Sequence, residues 1–103
     1  MVNRGEIWWL EEPEIGRRPV CVLTRQEAIP VLRRVTVAPA TRRIRAIPTE
    51  VELDSADGMP QRCALSLDNV RTVPKALLVE PITTLSQRRL REVCVALDLA
   101  MGC

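Results

Sequence analysis

Arg17-Arg18-Pro19-Val20-Cys21-Val22-Leu23-Thr24 is the stretch from which the rest of this chain can be read. Residues Arg18–Thr24 are apolar on both faces, which predicts a central strand rather than an edge. A second apolar run, Val31–Ala38, predicts another strand, stopped by Pro39. It leads into Pro39-Ala40-Thr41-Arg42-Arg43, so in both places a strand-like run abuts arginine and a threonine hydroxyl, Thr24 in the first and Thr41 in the second. An arginine fork can grip phosphate oxygens and a hydroxyl can add a hydrogen bond, a pairing that suits a phosphodiester.

Outward from these runs the pattern is one of short strands. Gly5–Leu10 reads as a first strand that sends Trp8 and Trp9 to opposite faces. One tryptophan belongs in the core; the other can pack at a subunit interface or stack on a base. Arg25–Pro30 has room for one helical turn, and Ala40–Pro48, with Arg42, Arg43 and Arg45, reads as an exposed loop. Thr49–Leu53 alternates with Val51 and Leu53 inward, Asp54–Gly58 is a turn, and Cys63, Leu65 and Leu67 repeat the alternation. Val70–Val73 and Leu77–Glu80 are shorter extended pieces.

The period then changes. Leu90, Val93, Cys94, Leu97 and Met101 recur at helical spacing, with Arg88, Arg89, Arg91 and Glu92 among the other positions. Ser86 serves as an N-cap, or Thr84 with Gln87 as a capping box, and Gly102 stops the helix. Strands followed by one amphipathic helix make an α+β, mainly β, domain: a curled antiparallel sheet with a C-terminal α-helix, one domain over residues 1–103.

Composition narrows the classes. There is no apolar run of about 18 residues to cross a membrane, and no charged start followed by a signal-like apolar stretch, so a cytoplasmic protein is expected. Cys21, Cys63, Cys94 and Cys103 are scattered and histidine is absent, so no metal site is expected, and all four cysteines are expected as free thiols. Cys21 and Cys94 read as small core residues. Residues 1–45 hold nine arginines against five glutamates, whereas residues 46–81 hold three basic and six acidic groups. That asymmetry suggests one face that attracts polyanions. Fourteen of the fifteen basic residues are arginine, the better phosphate fork, although a coding bias toward arginine explains the count equally well.

Together with Arg4-Gly5-Glu6-Ile7-Trp8 and Leu67-Asp68-Asn69-Val70-Arg71-Thr72-Val73, the order of these motifs resembles the MazF/PemK toxins from residue 4 to the C-terminus. The resemblance implies an SH3-like barrel and a type II toxin. Such a toxin is a ribosome-independent, metal-independent endoribonuclease that needs no cofactor. It cleaves single-stranded RNA, mRNA or another cellular RNA, at specific sequences. It also implies a homodimer silenced by a cognate MazE-like antitoxin, with no membrane partner. Arg18, immediately before Pro19, falls where the family has its key arginine, and Thr41 falls where it has a threonine or serine at the end of the third strand. These two are the expected catalytic pair. Attack by the 2′-hydroxyl implies 2′,3′-cyclic phosphate and 5′-hydroxyl ends.

Glu14 is the candidate base or substrate contact, although Glu14-Ile15-Gly16-Arg17-Arg18-Pro19 is one residue shorter than the family loop; Glu14, Glu11 and Glu12 read equally as solvated charge. Arg17 stands where some relatives have histidine and can bind phosphate, but it cannot act as an acid or base near neutral pH. Thr24, Arg25, Arg42 and Arg43 are expected substrate contacts flanking the pair, with Arg45 beside them. Asn69 lies where relatives carry a polar groove residue and can read a base edge or stabilise a turn. Two other readings keep the fold: a CcdB-like gyrase poison, against which stands a C-terminus without tryptophan, and a non-catalytic SH3-like RNA-binding module.

Overall fold

The computed structural model describes residues 1–102. Seven strands and one helix follow in the order β1 (Glu6–Glu12), β2 (Gly16–Val22), β3 (Arg34–Thr41), β4 (Glu50–Leu53), β5 (Cys63–Ser66), β6 (Arg71–Pro74), β7 (Leu78–Thr84) and α1 (Gln87–Met101). All strand pairs are antiparallel, and five strands lie side by side as β7-β1-β2-β3-β6.

The connection between the two outer strands of that run makes the sheet curl. β6 passes into β7 through Lys75–Leu77 alone, a single 3-10 turn. A flat sheet would hold these strands four steps apart, about 19 Å. The four residue-to-residue steps from Pro74 to Leu78 span at most about 14 Å fully extended. The sheet therefore rolls into the SH3-like barrel, with Trp8, Leu10, Val20, Val22, Val35, Val37, Val73 and Leu78 filling its inside. The alternate residues Ile7, Cys21 and Ala38 face the other way and pack beneath β4, β5 and α1 with Leu53, Leu65, Val93 and Ala96. The central strands are thus apolar on both faces because both faces are covered.

β3 is the strand that all this hangs on. Its first half pairs with β6 (Val37 opposite Arg71), its middle with β2 (Val20 opposite Pro39), and its end with β5 (Ala40 opposite Leu65). Pro39 does not stop the strand, which starts at Arg34 and runs on to Thr41. The proline lies where β3 leaves β6 and has not yet met β5, so its missing N–H removes no bond on that side. Arg25–Pro30 forms hydrogen-bonded turns, not a regular helix.

The helix begins where Ser86 Oγ accepts the Arg89 N–H at 3.1 Å. Thr84 is instead the last residue of β7, paired with Glu6. Gly102, at φ 72°, ends the helix as expected. Two inward expectations are corrected. Cys94 and Met101 are exposed, whereas Ala96 and Val93 are buried. An Arg4 Nη2 contact at 3.4 Å lies over the Cys94 sulfur. Arg89 turns inward: its Nε reaches Asp57 Oδ1 at 2.9 Å, docking the helix on the 3-10 turn Ser55–Asp57. Burial opposes ionisation of Asp57, but the hydrogen bonds from Arg89 and the Asp54 N–H prevail and hold its carboxyl below the usual range.

Gly58 closes that turn at φ +87°, and a Cβ there would lie 2.3 Å from Thr83 Oγ1, whose hydroxyl donates to the Asp57 carbonyl at 3.0 Å. Gly58→Ala is therefore expected to lose about 3 kcal/mol of unfolding free energy, from backbone strain plus steric overlap. Gly102→Ala, at φ +72° in open space, should lose only about 1 kcal/mol. Urea unfolding of the two variants checks this; equal losses would show that the Thr83 contact is inconsequential.

Candidate active site

The β2–β3 ladder sets the geometry of the expected pair. The last β2–β3 pair at the open end is Val20 opposite Pro39, and Arg18 and Thr41 each lie two residues beyond it. Both belong to the face that lines the barrel interior, but they lie beyond its apolar filling, at the mouth. They are the two residues shared by two adjoining clefts. The mouth cleft, about 530 Å³, adds Arg43, Arg45, Ser66, Asp68, Asn69 and Arg71. The flank cleft, about 740 Å³, adds Trp9, Arg17, Pro19, Arg42, Pro60 and Gln61.

Local bonding prepares each group. Thr41 Oγ1 accepts the Arg43 N–H at 3.1 Å, which orients the side chain and leaves its own O–H to donate. The Arg18 side chain is exposed and makes no hydrogen bond or ion pair among the described residues. Asn69 Nδ2 donates to Ser66 Oγ at 2.7 Å, fixing the amide at the cleft wall. Asp68 accepts from the Thr49 hydroxyl, and Glu50 accepts the Arg45 N–H at 2.9 Å, so these two carboxylates are already engaged.

The other expected contacts divide. Arg42 and Arg43 stay with the pair, Arg42 Nη1 donating to Gln61 Oε1 at 3.3 Å. Arg17 lines the flank cleft but is held by Glu11 at 2.8 Å and Glu80 at 3.4 Å, and its pKa is raised chiefly by the Glu11 bond. Glu14 sits at the tip of the β1–β2 turn with φ 69° and lines neither cleft. Thr24 and Arg25 are not brought to the pair. They lie beyond the opposite end of β2, about 20 Å from Arg18 along an extended chain, where Thr24 Oγ1 accepts the Thr36 N–H at 2.8 Å.

Two residues enter that sequence reasoning did not select. Arg71 lines the mouth cleft and donates through both Nη atoms to Glu12, at 2.8 and 2.6 Å. The partners are 59 residues apart, on strands that are not neighbours in the sheet, so no spacing rule signals them. Hydrogen bonds from Arg71 hold the Glu12 carboxyl below the usual range; the charges of Arg71 and Arg18 add to this, and burial opposes it. Of the tryptophans, Trp8 is buried with its Nε1–H on Glu6 at 3.0 Å, and Trp9 is the half-buried one in the flank cleft. Among the described residues no group of three or more Cys, Asp and Glu offers a metal cage, and Cys21, Cys63 and Cys94 are free thiols; Cys103 lies outside those residues.

Residues 3–101 match the family model of PemK-like, MazF-like toxins of type II toxin–antitoxin systems. The chain is 50% identical over 101 residues to the probable endoribonuclease MazF5 of Mycobacterium tuberculosis, covering 97% of this chain and 93% of that one. Its structure is similar to that of the Mycobacterium tuberculosis toxin MazF-mt6, with a TM-score of 0.86, 33% identity, and 94% and 96% of the two chains covered. It is also similar to a MazE–MazF crystal structure from Deinococcus radiodurans, with a TM-score of 0.83, 27% identity, and 98% and 96% covered.

The placement of the tryptophans gives an optical test of the flank cleft. With Trp8→Phe, the remaining emission comes from Trp9 beside Arg17, Arg18 and Arg42, and iodide, an anion drawn to that field, should quench it strongly. With Trp9→Phe, the buried Trp8 should be quenched severalfold less. Equal quenching would contradict the cleft as described.

Proposed function

The chain belongs to the PemK-like, MazF-like family of type II toxins, and we propose that its endoribonuclease activity is carried by Arg18 and Thr41 at the barrel mouth. The observation that supports this reading is that Arg18, whose side chain makes no hydrogen bond or ion pair among the described residues, lines both clefts together with Thr41, whose hydroxyl is already fixed by the Arg43 N–H. In the proposed reaction the 2′-oxygen forms a bond to phosphorus, the P–O5′ bond breaks, the 2′ proton leaves to solvent and the departing oxygen gains one. Charge builds on the phosphate oxygens. Arg18 faces that charge with its fork and Thr41 donates its O–H to it, two donors in place before the reaction begins. Proton transfer by Arg18 itself is disfavoured, because a guanidinium does not give up its proton near neutral pH.

Arg42, Arg43 and Arg45 extend the positive surface along both clefts and would follow the backbone of a single strand. Asn69 is proposed to meet a base edge at the cleft wall. Glu14, Thr24 and Arg25 lose their place in the site on geometric grounds. The partner implied by the Deinococcus MazE–MazF complex is a MazE-like antitoxin, and we carry it to this chain together with a cytoplasmic location and a homodimeric state. No helix is long and apolar enough to cross a membrane among the described residues. The named relatives are ribonuclease toxins rather than gyrase poisons, which favours cleavage over the CcdB-like alternative.

Cleavage of a long RNA should survive EDTA and leave 2′,3′-cyclic phosphate and 5′-hydroxyl ends; strict magnesium dependence or 5′-phosphate ends would overturn the proposed chemistry.

Arg18→Ala should lower turnover by about two orders of magnitude or more, comparable to removing one oxyanion donor. Arg18→Lys should recover little of it, since a point charge does not reproduce the fork. Thr41→Ser should stay active and Thr41→Val should be crippled. Near-normal rates in both Arg18→Lys and Thr41→Val, measured at saturating RNA, would remove the pair from the reaction.

A further inference from the structure

One arginine that lines the mouth cleft with the pair, Arg71, is tied to a carboxylate. On β1, Trp8, Leu10 and Glu12 point to one face; Leu10 is opposite Arg18, and Val20 is opposite Pro39. On β6, Arg71 is opposite Val37, which shares that face with Pro39 and Thr41. Glu12, Arg18, Thr41 and Arg71 therefore come from four consecutive strands of one curled face, ranged around one rim. A flat sheet would hold β1 and β6 three steps apart, about 14 Å. The curl instead brings Glu12 and Arg71 into a two-bonded ion pair across the mouth.

We infer that Arg71 is a further phosphate-binding residue of this site and that Glu12 is the positioning residue that aims it. The inference deepens the ribonuclease reading and rests on it. Glu12 is the anchored partner, with 14% of its side chain exposed against 41% for Arg71, so the guanidinium is open to the cleft while its carboxylate backs it. Two of the five N–H donors of Arg71 serve Glu12, which leaves three for a ligand in a cleft already bounded by Arg18, Arg43 and Arg45. A phosphate there meets two forks from opposite sides of the rim, Arg18 and Arg71. Glu12 is poorly suited to take the 2′ proton. Both its oxygens are bonded, and its depressed pKa moves it away from the range that favours a general base. Stapling the barrel is also an insufficient role, since the strand ladders already fix the register.

The test uses the full chain and an oligoribonucleotide carrying a mapped cleavage site. It measures kcat, KM and the dependence of KM on KCl. Arg71→Ala should raise KM about tenfold, roughly the loss of one charged contact. Its log–log salt slope should become shallower by about 0.7, one phosphate contact on a single strand. Arg71→Lys should restore the slope but leave KM elevated, because the charge returns without the fork. Glu12→Gln should raise KM severalfold, and should add nothing when made on top of Arg71→Ala, because its effect passes through Arg71.

If Glu12→Gln instead lowers kcat about a hundredfold while Arg71→Ala is near normal, Glu12 is the base and the inference is wrong. If Arg71→Ala and Arg71→Lys lower the melting temperature but leave KM and the salt slope unchanged, the pair is only a staple and the inference is likewise wrong. A wild-type chain that leaves every RNA intact defeats the ribonuclease reading itself, and the inference with it. A cleaving wild type with an unaltered Arg71→Ala variant defeats the inference alone.

Discussion

Three residues between β6 and β7 cannot bridge the width of a flat five-stranded sheet, and this covalent limit shapes the rest of the protein. Because the sheet must roll, the inner row of alternating side chains becomes a closed apolar core instead of a solvated face. The outer row needs a second cover, supplied by β4, β5 and α1. The apolar core stops short of one end of the barrel, and the residues next in the same alternation, Glu12, Arg18, Thr41 and Arg71, are polar. The barrel mouth is therefore a continuation of the barrel core by other residue types.

Within that rim the difference between arginines lies in what each already holds. Arg71, and Arg17 on the adjoining flank, are engaged with carboxylates. Among the described residues Arg18 has no such partner, and it shares both clefts with Thr41. A guanidinium left unpaired at the end of a rigid strand needs no bond broken before it meets a phosphate, whereas the ion-paired ones are better suited to holding shape or being aimed. With no histidine in the chain, the proposed chemistry rests on charge stabilisation by such preset groups. The same logic separates the carboxylates near the mouth: Glu12, Glu50 and Asp68 each already accept a bond and serve to set neighbouring groups.

Much of this was legible in local chemistry. The two-faced apolar run at Arg18–Thr24 gave a central strand, alternation gave β4 and β5, and Ser86 and Gly102 bounded the helix to the residue. Local chemistry showed an arginine and a threonine hydroxyl beside each apolar run, and the family resemblance singled out Arg18 and Thr41 as the expected pair. Other expectations failed where distant elements intervened. Pro39 reads as a strand stop because proline removes a ladder donor, and β3 passes through it because the donor falls between two partners. Cys94 reads as core by helical period, and the helix instead rolls Ala96 inward, with Arg4 over the sulfur. Thr24 and Arg25 share a motif with Arg18 in sequence, yet an extended strand carries them to the other end of the barrel.

What the sequence determined by itself was most of what near neighbours govern: strand and helix periods, caps, turns, and the types of residue available for chemistry. Those depend on torsional preference and on side-chain alternation, which act over a few residues. What only the tertiary structure decided was which charges meet. Glu12 with Arg71, Asp57 with Arg89, and Arg17 with Glu80 join residues 59, 32 and 63 positions apart. The curl of the sheet and the docking of α1 set those encounters, and electrostatic pairing depends on distance in space, which local sequence pattern does not encode.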